Sequence, residues 1–135
     1  MRPLTLAALP LLLAGVGVRP PAHEHQRVLV DAKANAVMIT AAVKHDLPAG
    51  VYDIRFTGGP GVMMGRGPGW KPCYLVFVSA HKVGVGTSGY VLSGRDAHAR
   101  IDMNPGGGYL RLFVTEDWSP HDNSGHEIIA ITKIR

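Results

Sequence analysis

Cysteine occurs once in this 135-residue chain, at Cys73, so no intramolecular disulfide can form even in an oxidising compartment. Stability has to come from buried core area, with a bound metal ion as the remaining kind of staple. Cys73 opens the run Cys-Tyr-Leu-Val-Phe-Val, where a buried strand residue is the expectation and a nucleophile is not. Charge is also sparse, at 18% of residues with a formal net charge of +4. The basic residues are scattered, without the Lys/Arg stripe interleaved with aromatics that a nucleic-acid groove needs, so no nucleic-acid partner is expected. The chain lacks a Gly-x-Ser-x-Gly elbow, a His-Glu-x-x-His pair, Cys/His zinc spacing and both common glycine-rich nucleotide loops. Asp117 and Asp122 as an acid/base pair for glycoside hydrolysis would need a cleft that so small a chain has little room for beside its core. The expectation is a protein that is not an enzyme. No repeat of fixed period occurs.

Only one long apolar stretch is present, residues 4–18 after Arg2, and it resembles the basic and hydrophobic regions of an export signal. It falls short of the ~20 residues of a spanning helix and has Pro10 near its middle. Residues 1–22 are therefore expected to be a signal peptide, with an ill-defined cut because no Ala-x-Ala precedes it. Residues 23–135 are expected to form one secreted or periplasmic domain, touching membrane only through an uncleaved N-terminus. Loss of Arg2 and Arg19 with the leader would leave 12 basic and 10 acidic residues, a net charge of +2. A cut after Ala22 would also expose His23 as a terminal imidazole beside a free amine, a copper-chelating group; in a short linker near a terminus, a polar and mobile role is the commoner one.

What the chain has in quantity is glycine, 17 residues, and proline, 10, the punctuation of many short connections. Residues 26–31 read as a first strand. Residues 34–43 fit helix or strand, with Val37, Ile39, Thr40 and Val43 favouring strand, and residues 45–50 read as a turn. Val51, Asp53 and Arg55 alternate with Tyr52, Ile54 and Phe56 as a strand with one apolar face. Residues 58–69 hold six Gly and two Pro and read as a long loop. A central strand is expected over 73–80, glycine-containing segments over 83–97, a short strand over 99–103 and a turn over 104–108. With the strands flanking residues 115–127, the total is about eight, and the fold class is all-β, an antiparallel β-sandwich.

Residues 106–134 organise the rest. Tyr109, Arg111 and Phe113 alternate with Leu110, Leu112 and Val114, and Ile128 to Ile131 resume the apolar run, so a hairpin-like connection is expected between two strands. That connection gathers Asp117, Ser119, Asp122 and Asn123, and its oxygens suit a hard divalent cation such as calcium. Acidic and amide residues also serve in loops simply as solvated turn formers and backbone caps. The helix-loop-helix calcium pattern is absent.

The run from Leu112 to Asp117, followed by Asp122-Asn123-Ser124-Gly125 and an alternating strand, resembles the C-terminal signature of the LecA-like bacterial lectins, small calcium-dependent galactose-binding sandwiches. The resemblance extends more faintly through Leu47 to Ile54, Thr57 to Gly59 and Leu75 to Val78. It implies a jelly-roll or galactose-binding-like sandwich with calcium as cofactor and carbohydrate as partner. The implied side-chain ligands are Asp117, Asp122 and Asn123, completed by carbonyls near Ser119 and Val62. Asp117 and Asn123 are also the candidate sugar contacts, through an open position on the ion. Apart from the resemblance, His121 reads first as a polar loop residue and Trp70 as a packing residue; sugar contact, for Trp70 through its ring, is the second reading of each. The loop is shorter than the family's, and the insertion that supplies further sugar contacts has no match in residues 61–71. The competing expectation is a secreted structural or interaction module that binds no sugar, and an oligomer is compatible with either.

Overall fold

The computed structural model describes residues 25–36, 41–114 and 120–135. They form eight strands: β1 (His25–Asp31), β2 (Val43–Leu47), β3 (Val51–Met63), β4 (Leu75–Lys82), β5 (Gly86–Ser93), β6 (His98–Asp102), β7 (Gly108–Phe113) and β8 (Ser124–Lys133). First pairs with last and so inward: β1 with β8, β2 with β7, β3 with β6 and β4 with β5, all antiparallel. Two more antiparallel pairs, β3 with β8 and β4 with β7, close this nested hairpin into two four-stranded sheets, β1-β8-β3-β6 and β2-β7-β4-β5. That connectivity is the jelly roll, the all-β sandwich expected from the sequence. Among the described residues no helix is long and apolar enough to cross a membrane; the expected signal peptide lies outside them.

The core follows from the two-residue period of a strand, which sends alternate side chains to opposite faces. Val28 and Val30 of β1, Ile54 of β3, Ile101 of β6 and Ile129 and Ile131 of β8 bury against Val76 and Val78 of β4, Leu92 of β5 and Leu110 and Leu112 of β7. Alternate neighbours such as Leu29 and Val91 are exposed, while Ala130 is buried. Burying each such side chain contributes about 1.5–3 kcal/mol. Tyr52 closes the turn before β3 by donating its hydroxyl to the Pro48 carbonyl at 2.7 Å.

Several local expectations are corrected. β7 and β8 do not form a hairpin: β7 lies in one sheet and β8 in the other. Alternation gives the face a strand buries but not its neighbour. Of residues 34–43, expected as strand, Ala34 and Asn35 lie in a turn in which Asp31 Oδ1 accepts the Lys33 and Ala34 amides, each at 2.8 Å; residues 37–40 lie outside the described residues, and Val43 opens β2. The segment 45–47, read as turn because of the Pro-Ala-Gly after it, belongs to β2 and pairs with β7. β3 runs on through Met63, so the first half of the expected glycine-rich loop is strand. Cys73 is exposed and precedes β4, joined to Val62 by an isolated bridge.

Candidate metal and ligand site

The extension of β3 places glycine-rich backbone beside the start of β8. The β3–β8 register shifts twice, between Phe56 and Gly58 and between Gly58 and Gly61, which marks an irregular stretch that bends the strand. Gly61 sits at φ +88°, and a Cβ there would come within 2.8 Å of the Cys73 carbonyl oxygen. A Cβ on Gly125, at φ +86°, would lie 2.2 Å from the Gly61 oxygen. Only glycine permits this backbone approach, and it seats the glycine-rich segment directly against residues 123–126.

Around this contact the sequence candidates separate. Asp117 and Ser119 lie outside the described residues. Asp122 ends a single 3-10 turn, Pro120–Asp122, and is exposed. Asn123, the next residue, turns inward and is only 2% exposed. Its Nδ2 donates to the Ala32 carbonyl at 2.7 Å, tying the loop to the turn after β1, while its Oδ1 is buried with no hydrogen-bond partner. Leaving such an acceptor unsatisfied costs about 1–3 kcal/mol, so this atom invites a ligand. The Val62 carbonyl, by contrast, accepts the Cys73 amide at 2.9 Å and its thiol at 3.5 Å.

His121 is exposed, and its carbonyl accepts a bond from the Arg66 guanidinium at 3.0 Å. Arg66 follows Gly65, and Gly65 is where Trp70 lies: a Cβ on Gly65 would meet the indole at 2.3 Å. Trp70 remains 51% exposed. The Gly65-Arg66 corner therefore touches both the indole and the turn at 120–122, bringing Trp70, His121, Asp122 and Asn123 to one end of the sandwich. Among the described residues no three His, Cys, Asp or Glu side chains cluster as a metal site. Among the described residues the oxygen donors at this end are an amide, one exposed carboxylate and backbone carbonyls.

One residue with functional chemistry escaped the sequence reading. Glu127 is fully buried, on the inward face of β8 with Ile129 and Ile131. Its Oε1 accepts the Leu75 amide at 2.5 Å, bridging β8 to the start of β4 in the opposite sheet, and its Oε2 has no partner. Burial raises its pKa to about 7 against the pull of the Leu75 bond, because low-dielectric surroundings disfavour the charged form. Partial desolvation of the sulfur on this otherwise exposed residue, then the Glu127 charge, raises the Cys73 thiol, which leaves less of it as the nucleophilic thiolate. The signal for Glu127 was present in the sequence as an acid at the same parity as two inward isoleucines.

No family model matches the chain, and no curated protein matches it. Among solved structures, one reported as Bacillus endospore appendages that form a family of disulfide-linked pili is similar over 83% of this chain and 88% of its own, at 14% identity and a TM-score of 0.34.

Proposed function

We propose that the protein is an exported calcium-binding, carbohydrate-binding module whose site is the end of the sandwich around residues 120–123. The observation that carries this reading is the Asn123 amide. Its nitrogen is spent on Ala32 and its oxygen is buried and unpaired, which fits an oxygen ligand held in place before the ion arrives. Asp122 beside it, with Asp117 and the Ser119 carbonyl from the same loop as the resemblance to LecA-like lectins implies, supplies the charge and remaining oxygens that a hard cation wants. Calcium would rigidify the loop and polarise sugar hydroxyls.

This chain's own residues do the rest. Asn123 anchors the loop through Ala32, and Arg66 holds the turn through the His121 carbonyl. Trp70 offers an exposed indole to a sugar's apolar face. His121 and Arg66 provide polar contacts at the rim. A glycan array probed with calcium and again with chelator tests the reading: a saccharide signal that chelator removes supports it, and an array silent in both conditions overturns it.

A further inference from the structure

We infer that the outward face of the sheet β1-β8-β3-β6 is a binding track for an anionic polysaccharide, a sugar chain bearing carboxylate or sulfate groups. The strand register sets its cations in line. Arg27 of β1 and Arg55 of β3 both pair with Ala130 of β8, and Arg55 pairs with His98 of β6, so the four positions form one row across the strands. At about 4.8 Å between neighbouring strands the row is about 15 Å long, with its two arginines about 10 Å apart. Ala130 between them is only 2% exposed, so nothing larger than a methyl group stands in the gap. Arg100, opposite Asp53, lies two residues along β6 from His98. Arg27, Arg55, His98 and Arg100 are all exposed.

A single carboxylate sits among these cations. Asp53 takes Arg55 Nε on Oδ2 at 2.6 Å, and His98 Nδ1 lies 3.2 Å from its Oδ1. Arg55 is thereby held through Nε, which leaves the two terminal amino groups of its guanidinium for a ligand. Arg27 and Arg100 form no ion pair among the described residues. The acids at the strand ends are taken up by turns: Asp31 accepts the Lys33 and Ala34 amides, and Asp102 the Asn104 amide. The opposite sheet behaves differently. Its outward cations Lys44 and Arg111 both lie over the Tyr109 ring, at 4.6 and 5.2 Å, and Lys44 also meets Asp46 at 4.0 Å. Positive charge is satisfied within the protein on that face and left open on this one.

The occupant follows from the chemistry of the face. Guanidinium forks grip carboxylates and tetrahedral oxyanions through paired hydrogen bonds, and a row that crosses four strands suits anionic groups repeated along a chain. Single-stranded nucleic acid needs aromatic side chains for its bases to stack on, and the outward positions beside the row, Leu29, Ile128, Thr132 and Asp53, hold no Phe, Tyr or Trp. Among polyanions, the choice of a saccharide rests on the proposed carbohydrate-binding function. The track needs no calcium: Ala130 is six strand residues beyond Ser124, about 20 Å along β8 from the turn at 120–122.

Binding of the full chain to immobilised heparin, with chelator present throughout, tests the inference. Arg27→Gln/Arg100→Gln removes two charges from the track without breaking an ion pair among the described residues, so its melting should match wild type. Lys44→Gln/Arg111→Gln removes the same charge from the opposite sheet. The expected result is a wild type that binds heparin, an Arg27→Gln/Arg100→Gln affinity weaker by more than about tenfold, and a Lys44→Gln/Arg111→Gln affinity close to wild type. Soluble polyuronate should displace the wild type at lower anionic charge than a single-stranded oligonucleotide or phosphatidylserine vesicles. No binding by wild type, equal weakening in the two double variants, or better displacement by the oligonucleotide or the vesicles overturns the inference. Because chelator is present, loss of heparin binding leaves the calcium-dependent reading to its own array, and heparin binding beside an array with no chelator-sensitive signal removes that reading alone.

Discussion

The two halves of β8 put the same backbone to different uses. From Ile129 onward, Ile129 and Ile131 are buried in the apolar core shared with the opposite sheet. At the start of β8, and at Asn123 just before it, the buried side chains are Asn123 and Glu127, and one oxygen of each has no partner. A sandwich this small has limited core to spare, so polar atoms left unpaired at one end of a strand, while the other end is packed with isoleucine, are the reason for proposing a site there. The comparison can be broken from either side.

The largest effect is expected in the apolar half: Ile129→Ala should cost about 2–5 kcal/mol by leaving a cavity, read by urea unfolding. Glu127→Gln should act in the opposite direction at high pH. The folded carboxyl titrates at about 7 rather than at its ordinary 4.5, so the folded state binds the proton more tightly than the unfolded one. Its contribution to stability is full below pH 4.5 and is lost as pH rises through 7. Wild type should therefore lose up to about 3 kcal/mol across that window. The glutamine variant, whose Oε1 still accepts from Leu75, should show a flatter profile and exceed wild type at pH 8. Denaturant midpoints from pH 4 to 8 check this, and parallel profiles for the two proteins would remove Glu127 as the cause.

Smaller again is Asn123→Ala, which deletes both the Ala32 tie and the orphaned oxygen. We expect a net change within about 1 kcal/mol without calcium, because loss of the Ala32 bond is offset by removal of an unsatisfied atom. Smallest is Trp70→Ala, within about 0.5 kcal/mol for an exposed side chain, yet with loss of saccharide binding on the array. A Trp70→Ala protein that melts as wild type and binds sugar as well would separate the indole from the site.

Much of the architecture was legible because alternation is a local signal. Tyr52, Ile54 and Phe56, or Leu110 and Leu112, announce an inward face without reference to any neighbour. Pairing is not local, so the expected hairpin between β7 and β8 proved to be a crossing between sheets. The stretch from Gly58 to Met63 hid its strand character because the register shifts that bend it also break its period. At the site, Asp122 and Asn123 were readable as oxygen donors, but nothing in the sequence said that one faces solvent and the other the interior. Glu127 could have been found: parity with Ile129 and Ile131 places it inside, and an acid at such a position is rarely silent.

The account turns on whether the loop at 117–123 holds calcium, and calcium titration by calorimetry on the full chain tests it most directly. A saturable one-site isotherm is predicted, accompanied by a melting temperature that rises with calcium as ligand linkage requires, and both should vanish in an Asp117→Ala/Asn123→Ala variant. Absence of binding heat in wild type, or an unchanged isotherm in that double variant, would contradict it.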